Sequence, residues 1–434
     1  MAERRINVDY LARVEGEGAL RVKIVDDQVT EVQLNIFEPP RFFEAFLRGR
    51  DSQEVVDIVS RICGICPVAY QMSAVHALEK AFGLVPPAGV RSVRRLLYLG
   101  EWIESHGLHV YMLHAPDFLG YESAIAMAGD PALRPMVERG LRTKKIGNQL
   151  MSIIGGREVH PVSVCVGGFY RAPRRSELRA MIPDLEWGLE AAVETVRWAA
   201  TLDYPDFTTD YEFVSLSHPD EYPLNEGRIV SSTGLDIAME DYEQYFVEEH
   251  VAHSNALHSR RADTGTNYLV GPLARVNLNF DRLSPRARAV AGEIGLRLPV
   301  KNPFMSLLAR GLELVHCFEE SLQIIAGYEE PLPSRTMSPP VLTASEGAHA
   351  TEAPRGLLYH RYQVDEHGLI TFAKIVPPTS QNLRRVEQDL WQYVPGLLSL
   401  PLETATLRCE QLVRSYDPCI SCATHFLKLN LERS

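Results

Sequence analysis

The chain has 434 residues, 45% of them hydrophobic, enough for one large core or two ordinary domains. Its formal net charge is −12, from 56 acidic against 44 basic side chains. No basic surplus is left to neutralise phosphates, which excludes nucleic acid as the main partner. No run of about 18 apolar residues occurs, so no membrane span is predicted. The opening Met1-Ala-Glu-Arg-Arg-Ile lacks the apolar stretch of an export signal, and the expected location is cytoplasmic.

Residues 5–37 read as strands. Leu20-Arg-Val-Lys-Ile-Val alternates apolar and polar, Asp26-Asp27 marks a turn, and alternation resumes from Val29 to Phe37. Pro39-Pro40 ends that hairpin. Helical periodicity then dominates, over 41–48, 51–61, 66–82, 90–114, 131–150 and 174–202. The stretch 203–275 is mixed and turn-rich, with a short helix predicted near 239–252. Helices follow at 286–295 and 303–327, a second hairpin at 356–376 and helices at 381–394 and 402–413. The fold expected is mainly α with small β-hairpins, an α+β architecture. No internal repeat, linker or boundary stands out, so one domain is expected over 1–434.

Seven cysteines do not read as a disulfide framework in a chain this long. Four of them form two Cys-x-x-Cys pairs, Cys63-Gly-Ile-Cys66 and Cys419-Ile-Ser-Cys422. Two intervening residues let both sulfurs of a pair point at one metal. Gly64 and Pro67 suit a tight turn opening a helix, where backbone N–H groups favour thiolate. Four thiolates make a soft site for nickel, iron or zinc. Structural zinc sites place their pairs about 15–20 residues apart, whereas 352 residues separate Cys66 from Cys419. Nickel or iron is therefore favoured, with zinc and a redox disulfide left open. Cys165, Cys317 and Cys409 read as buried small hydrophobes. His106, His109 and His114 read as core histidines.

These residues resemble the large subunit of nickel–iron hydrogenases, most closely the cytoplasmic NAD(P)-linked branch, sometimes called sulfhydrogenase. Besides the two pairs, the resemblance rests on Arg13-Val-Glu15-Gly16, Arg41-Phe-Phe-Glu44, His106 to Tyr111 with Asp117, and Gly155-Gly-Arg157 with His160-Pro161 and Gly167-Gly168. It continues through Glu352-Ala-Pro-Arg355-Gly356, Ile375-Val-Pro-Pro-Thr379-Ser-Gln-Asn382 and Asp417 to His425. The motifs lie in family order and span nearly the whole chain.

The resemblance implies reversible cleavage of H2 into protons and electrons. It implies nickel on all four thiolates, with Cys63 and Cys419 terminal and Cys66 and Cys422 bridging to an iron that carries CO and cyanide. Cys419 would take the first proton and Glu15 relay it. Read alone, Glu15 is an ordinary exposed hairpin glutamate. Arg355 would face the cyanides, held by Asp117 and Asp417, and Thr379 would donate to the other cyanide. Glu44, the Ile375 carbonyl and His425 resemble a magnesium site. His160 would support the centre from behind.

The sequence departs from many family members at Glu17 and Tyr70, where histidine is common, and at Glu38-Pro-Pro-Arg41. Residues 426–434 resemble a tail that a maturation endopeptidase removes. The chain has no dinucleotide or phosphate-loop motif and no further cysteine cluster for an iron–sulfur centre. Electrons would leave through a small subunit carrying iron–sulfur clusters, and then through diaphorase subunits binding flavin and NAD(P). The rivals are a non-catalytic subunit related to respiratory complex I, and a zinc-binding structural protein.

Overall fold

A computed structural model describes residues 3–330 and 343–425. The N-terminal segment forms three antiparallel strands, Glu3–Val8, Gly18–Val25 and Gln28–Ile36. Asp26 and Asp27 both take positive φ, 50° and 62°, in the two-residue turn between the second and third. Short acidic side chains tolerate that left-handed turn, which matches the twist of the flanking strands.

Long helices supply the core. Pro67–Phe82, Ala88–Leu108, Arg134–Gly155, Ile182–Ala199 and Ser306–Ala326 are each buried along at least one face. The second and third of these cross at two glycines. A Cβ on Gly147 would stand 2.5 Å from the Gly100 carbonyl, so only hydrogen permits the approach. A second antiparallel sheet, Ser345–Ala353, Gly356–Val364 and Ile370–Val376, packs on the helix Pro67–Phe82. One buried cluster runs from Ile6 to Ala423 and takes in side chains from both ends of the chain. No described helix is long and apolar enough to cross a membrane.

The α+β reading holds, with local differences. The helix over 90–114 stops at Leu108 and continues as a π-helical turn, His109–His114, before Pro116. The helix near 239–252 reduces to Met239–Asp241 and Tyr242–Tyr245. Phe246–Glu249 is a strand paired with His258–Arg261. Its Phe246-Val247 pair favours extended backbone and gains more from a cross-strand partner than from another helical turn. The strand Ser345–Ala353 escapes notice in sequence because Ser-Glu-Gly-Ala-His-Ala-Thr-Glu-Ala has no apolar alternation. Seven of its nine residues are buried on both faces. Residues 426–434, read as a removable tail, lie outside the described residues.

Candidate metal centre

The first cysteine pair sits where the turn after Ser52–Ser60 enters the helix Pro67–Phe82. Cys66 caps that helix and Pro67 fills its first position. The Ile65 and Cys66 amides donate to Cys63 Sγ at 3.3 and 3.2 Å. Glu101 fastens the same end by accepting from the amides of Val68 and Ala69 at 2.6 and 3.1 Å. Burial raises the Glu101 pKa well above the carboxylate range.

The second pair follows the helix Leu402–Ser415. Asp417 turns the chain with φ 54°, and Cys419 caps the short helix Ile420–Ala423. The Cys419 amide donates to Thr379 Oγ1 at 3.0 Å.

The four sulfurs converge within 4.8 Å of one another, and all four residues are buried. Cys63 Sγ lies 3.6 Å from Cys419 Sγ, and Cys66 Sγ lies 3.7 Å from Cys422 Sγ. Cys419 and Cys422 stand 2.7 Å apart. Burial opposes ionisation of Cys63, but hydrogen bonds from the other three thiols and the charge of Arg355 hold it well below the usual thiol range. Burial pushes Cys419 well up and Cys422 up. Four buried sulfurs this close cannot all be thiolate unless cations sit among them. The donor set thus fits soft transition-metal ions.

Glu15 completes one side. Its Oε2 accepts from Cys419 Sγ at 3.0 Å and from the Ser421 amide at 3.1 Å. Its carbonyl accepts from the Ile420 amide at 2.9 Å, a parallel bridge between the two ends of the chain. Gly16, at φ 87°, is required here. A Cβ would meet Glu38 Oε2 at 2.6 Å and Ile420 Cβ at 2.7 Å.

Arg355 lies on the other side. Its Nε donates to the Asp417 carbonyl at 2.8 Å and its Nη2 to Asp417 Oδ1 at 3.2 Å. Its Nη1 is buried and finds no hydrogen-bond partner among the described residues. Asp417 is also 3.6 Å from Arg310 Nη2.

Asp117 differs from expectation. It does not share the hold on Arg355. Its oxygens accept from Arg414 Nε and Nη2, both at 2.8 Å, and from Arg13 Nη2 at 2.5 Å, with His114 Nδ1 at 3.1 Å. Arg414 ends the helix Leu402–Ser415 and turns back beneath the N-terminal loop, which takes Asp117 for itself. Burial works against its charge, yet His114 and Arg414 hold Asp117 well below the usual carboxylate range.

Glu44, Ile375 and His425 also meet. His425 Nε2 is 2.7 Å from the Ile375 carbonyl and 3.9 Å from Glu44 Oε1, and the Ile375 amide donates to Glu44 at 2.8 Å. The Arg41 and Phe43 amides bind the carbonyls of Thr424 and His425 at 2.7 and 2.9 Å. The Arg41 side chain reaches the Ile62 carbonyl at 2.7 Å and that of Ser421.

His106, His109 and His114 are buried. Nε2 of His106 meets Glu313 at 2.8 Å and Nε2 of His109 the Arg414 carbonyl at 2.8 Å. His160 Nδ1 bonds the Ser60 carbonyl at 2.7 Å, behind the first pair. Cys165, Cys317 and Cys409 are buried away from the cluster. Tyr70 is buried, its hydroxyl without a hydrogen-bond partner among the described residues, its ring 5.7 Å from that of His360.

Sequence reasoning missed four supports: Glu101, Arg310, Arg41 and Glu38, which accepts from Ser421 Oγ at 2.8 Å. Arg41 and Glu38 carried a signal, as the first residue of Arg-Phe-Phe-Glu44 and in the departing segment Glu38-Pro-Pro-Arg41, but neither was given a role.

Four converging cysteine sulfurs joining the two ends of a mainly helical chain define a soft transition-metal centre. The family model for nickel-dependent hydrogenases matches residues 41–134 and 262–425, and the chain belongs to that family as its large, catalytic subunit. Sulfhydrogenase 1 subunit alpha of Pyrococcus furiosus is 34% identical over 98% of both chains. The NAD-reducing hydrogenase HoxS subunit beta of Cupriavidus necator is 26% identical over 98% of this chain and 95% of its own. A solved NAD+-reducing [NiFe]-hydrogenase in the H2-reduced state superposes with a TM-score of 0.83 and 28% identity, covering 97% of this chain and 99% of its own. The rival readings, a complex I-like subunit and a zinc-binding structural protein, are not favoured.

Proposed function

We propose that this chain splits H2 heterolytically at its four cysteines, with Cys419 and Glu15 handling the proton, and passes the electrons on towards NAD(P). The observation that carries the reading is the Glu15 carboxylate 3.0 Å from Cys419 Sγ. Nickel and iron, when bound, supply the redox centre that accepts the two electrons of H2. The chain's own residues do the rest. Cys63, Cys66, Cys419 and Cys422 would hold nickel, with Cys66 and Cys422 shared with iron.

Cys419 Sγ takes the first proton and hands it to Glu15 Oε2. That oxygen also accepts the Ser421 N–H, which orients the carboxylate toward the sulfur. Arg355, positioned by Asp417, would offer its unsatisfied Nη1 to a cyanide carried by iron, because a charged donor there would satisfy both groups. The Thr379 oxygen already accepts the Cys419 amide, which leaves its hydroxyl proton for the second cyanide. That iron would also carry CO. Asp117 holds Arg414 and Arg13, and so the segment carrying Asp417. Glu44, the Ile375 carbonyl and His425 would hold magnesium, with waters completing its oxygen shell.

Electrons leave through a small subunit carrying iron–sulfur clusters, then through diaphorase subunits that bind flavin and NAD(P). The whole chain acts as one hydrogenase large-subunit domain in the cytoplasm. An endopeptidase removes residues 426–434 and leaves His425 terminal. The purified complex should show CO and cyanide bands in the infrared and reduce NAD(P) with H2. Nickel-loaded complex without such bands overturns the reading.

A further inference from the structure

The pair of strands Phe246–Glu249 and His258–Arg261 brings two imidazoles to one carboxylate. His253 Nε2 lies 2.7 Å from Glu387 Oε1, and His258 Nδ1 lies 3.8 Å from Glu387 Oε2. One ligand atom from each of the three lies within 4.8 Å of both others. This cluster is separate from the cysteine centre. Glu387 lies eight residues beyond Thr379 on the helix Pro378–Tyr393, about 12 Å along its axis.

His258 marks the cluster as more than a surface grouping. It is 1% exposed, and neither ring nitrogen has a hydrogen-bond partner among the described residues. An imidazole with both nitrogens buried and unsatisfied forgoes bonds that natural interiors almost always make.

We infer that His253, His258 and Glu387 form a second metal site, for a divalent cation of the zinc class. Two imidazoles and a carboxylate are a ligand set that zinc accepts, with the fourth position left to water. Two imidazoles in one set disfavour magnesium and calcium, whose ligands are mostly oxygens. Zinc with ligands about 2.0–2.2 Å away holds them about 3.4 Å apart in a tetrahedron. The side chains stand near that spacing, with His253 Nε2 at 2.7 Å from one Glu387 oxygen and His258 Nδ1 at 3.8 Å from the other. The water position opens at the rim, where the His253 and Glu387 side chains are 20% and 16% exposed.

The surroundings agree. The Leu34 amide donates to Glu387 Oε1 at 2.8 Å and orients the carboxylate. Arg384, one turn earlier, is paired with Glu249 at 2.9 Å, and Arg260 binds Glu249 as well. The nearby positive charge is thus partly offset by Glu249.

The metal pins the loop between the two strands onto the N-terminal sheet. Within that loop the Asn255 amide donates to the Ile36 carbonyl at 2.7 Å, and Asn255 Nδ2 to the Glu38 carbonyl at 3.3 Å. Glu38 is the residue that binds Ser421 beside Glu15. The cation therefore braces, from outside, the strand end that leads into the proton path.

The test is calorimetric titration of Zn2+ into the intact, nickel-loaded complex after dialysis against a chelator, for wild type, His253→Gln and His258→Asn. His253 lies at the rim, so His253→Gln is the deciding variant should the buried substitution fail to fold. Its nickel content should match wild type. The expected result is about one tight site per large subunit in wild type, weakened at least tenfold in His253→Gln. Equal stoichiometry and affinity in wild type and His253→Gln overturn the proposal.

Discussion

The Glu15 carboxylate reaches Cys419 Sγ at 3.0 Å across 404 positions of sequence. Because the Glu15 carbonyl also binds the Ile420 amide, the backbone geometry does not depend on the carboxylate. Glu15→Gln should therefore keep its metals and its fold. Loss of a positioned proton acceptor should lower H2 oxidation by about 10²–10⁴-fold. Turnover assays beside metal analysis of the same preparation check this. A variant that loses activity and nickel together would argue for a structural role.

The four clustered cysteines and the three others should separate cleanly. Serine at 63, 66, 419 or 422 removes a soft ligand and should cost the complex its nickel. Alanine at Cys165, Cys317 or Cys409 removes a small buried side chain, at about 1 kcal/mol each, and should leave nickel in place. Elemental analysis of the seven variants decides.

Asp417 is the buried counter-charge of Arg355 and lies beside Arg310. Asp417→Asn leaves two guanidiniums without it and should destabilise the chain by about 3–5 kcal/mol. Neutralising Arg355 as well, as Gln, should recover part of that loss. Denaturant unfolding of both variants and the double variant measures the coupling.

Glu320 provides a pH test away from the metals. Arg95 binds it at 2.5 Å and His316 at 2.9 Å. Burial alone would push this carboxyl up, but Arg95 and His316 hold it down to about 2. A depressed carboxyl stabilises the fold above its unfolded value and loses that contribution as pH falls through the folded one. Glu320→Gln should thus cost roughly 3 kcal/mol at neutral pH. The gap to wild type should close between about pH 4.5 and pH 2. Unfolding midpoints across that range test it, and a constant gap would contradict the assignment.

Much of the centre was legible because its chemistry is carried by residues at fixed short spacings. Two Cys-x-x-Cys pairs and a proline at the helix start announce a thiolate site with no knowledge of the fold. The long helices were legible from period, and the first hairpin from alternation and its Asp-Asp turn. The partners of Asp117 were not legible. A carboxylate chooses among nearby guanidiniums by three-dimensional reach, and nothing in the local sequence says that Arg414 turns back on it. The strand Ser345–Ala353 was hidden for a related reason. A strand covered on both faces by tight packing carries small residues, and small residues have no period to read. Gly347 shows the constraint, since a Cβ there would stand 2.0 Å from the Ala77 carbonyl.

The bridge between Glu15 and Cys419 has a consequence for biosynthesis. A protein made from its N-terminus exposes Cys63, Cys66 and Glu15 early, but the last two sulfurs and the residue that Glu15 grips emerge only after some 400 others. A partial chain holds two of the four clustered sulfurs and no trap. Nickel delivered to a growing polypeptide would find half a site, so metal loading belongs to the finished chain, and any truncation before Cys419 yields a protein that cannot be charged at all.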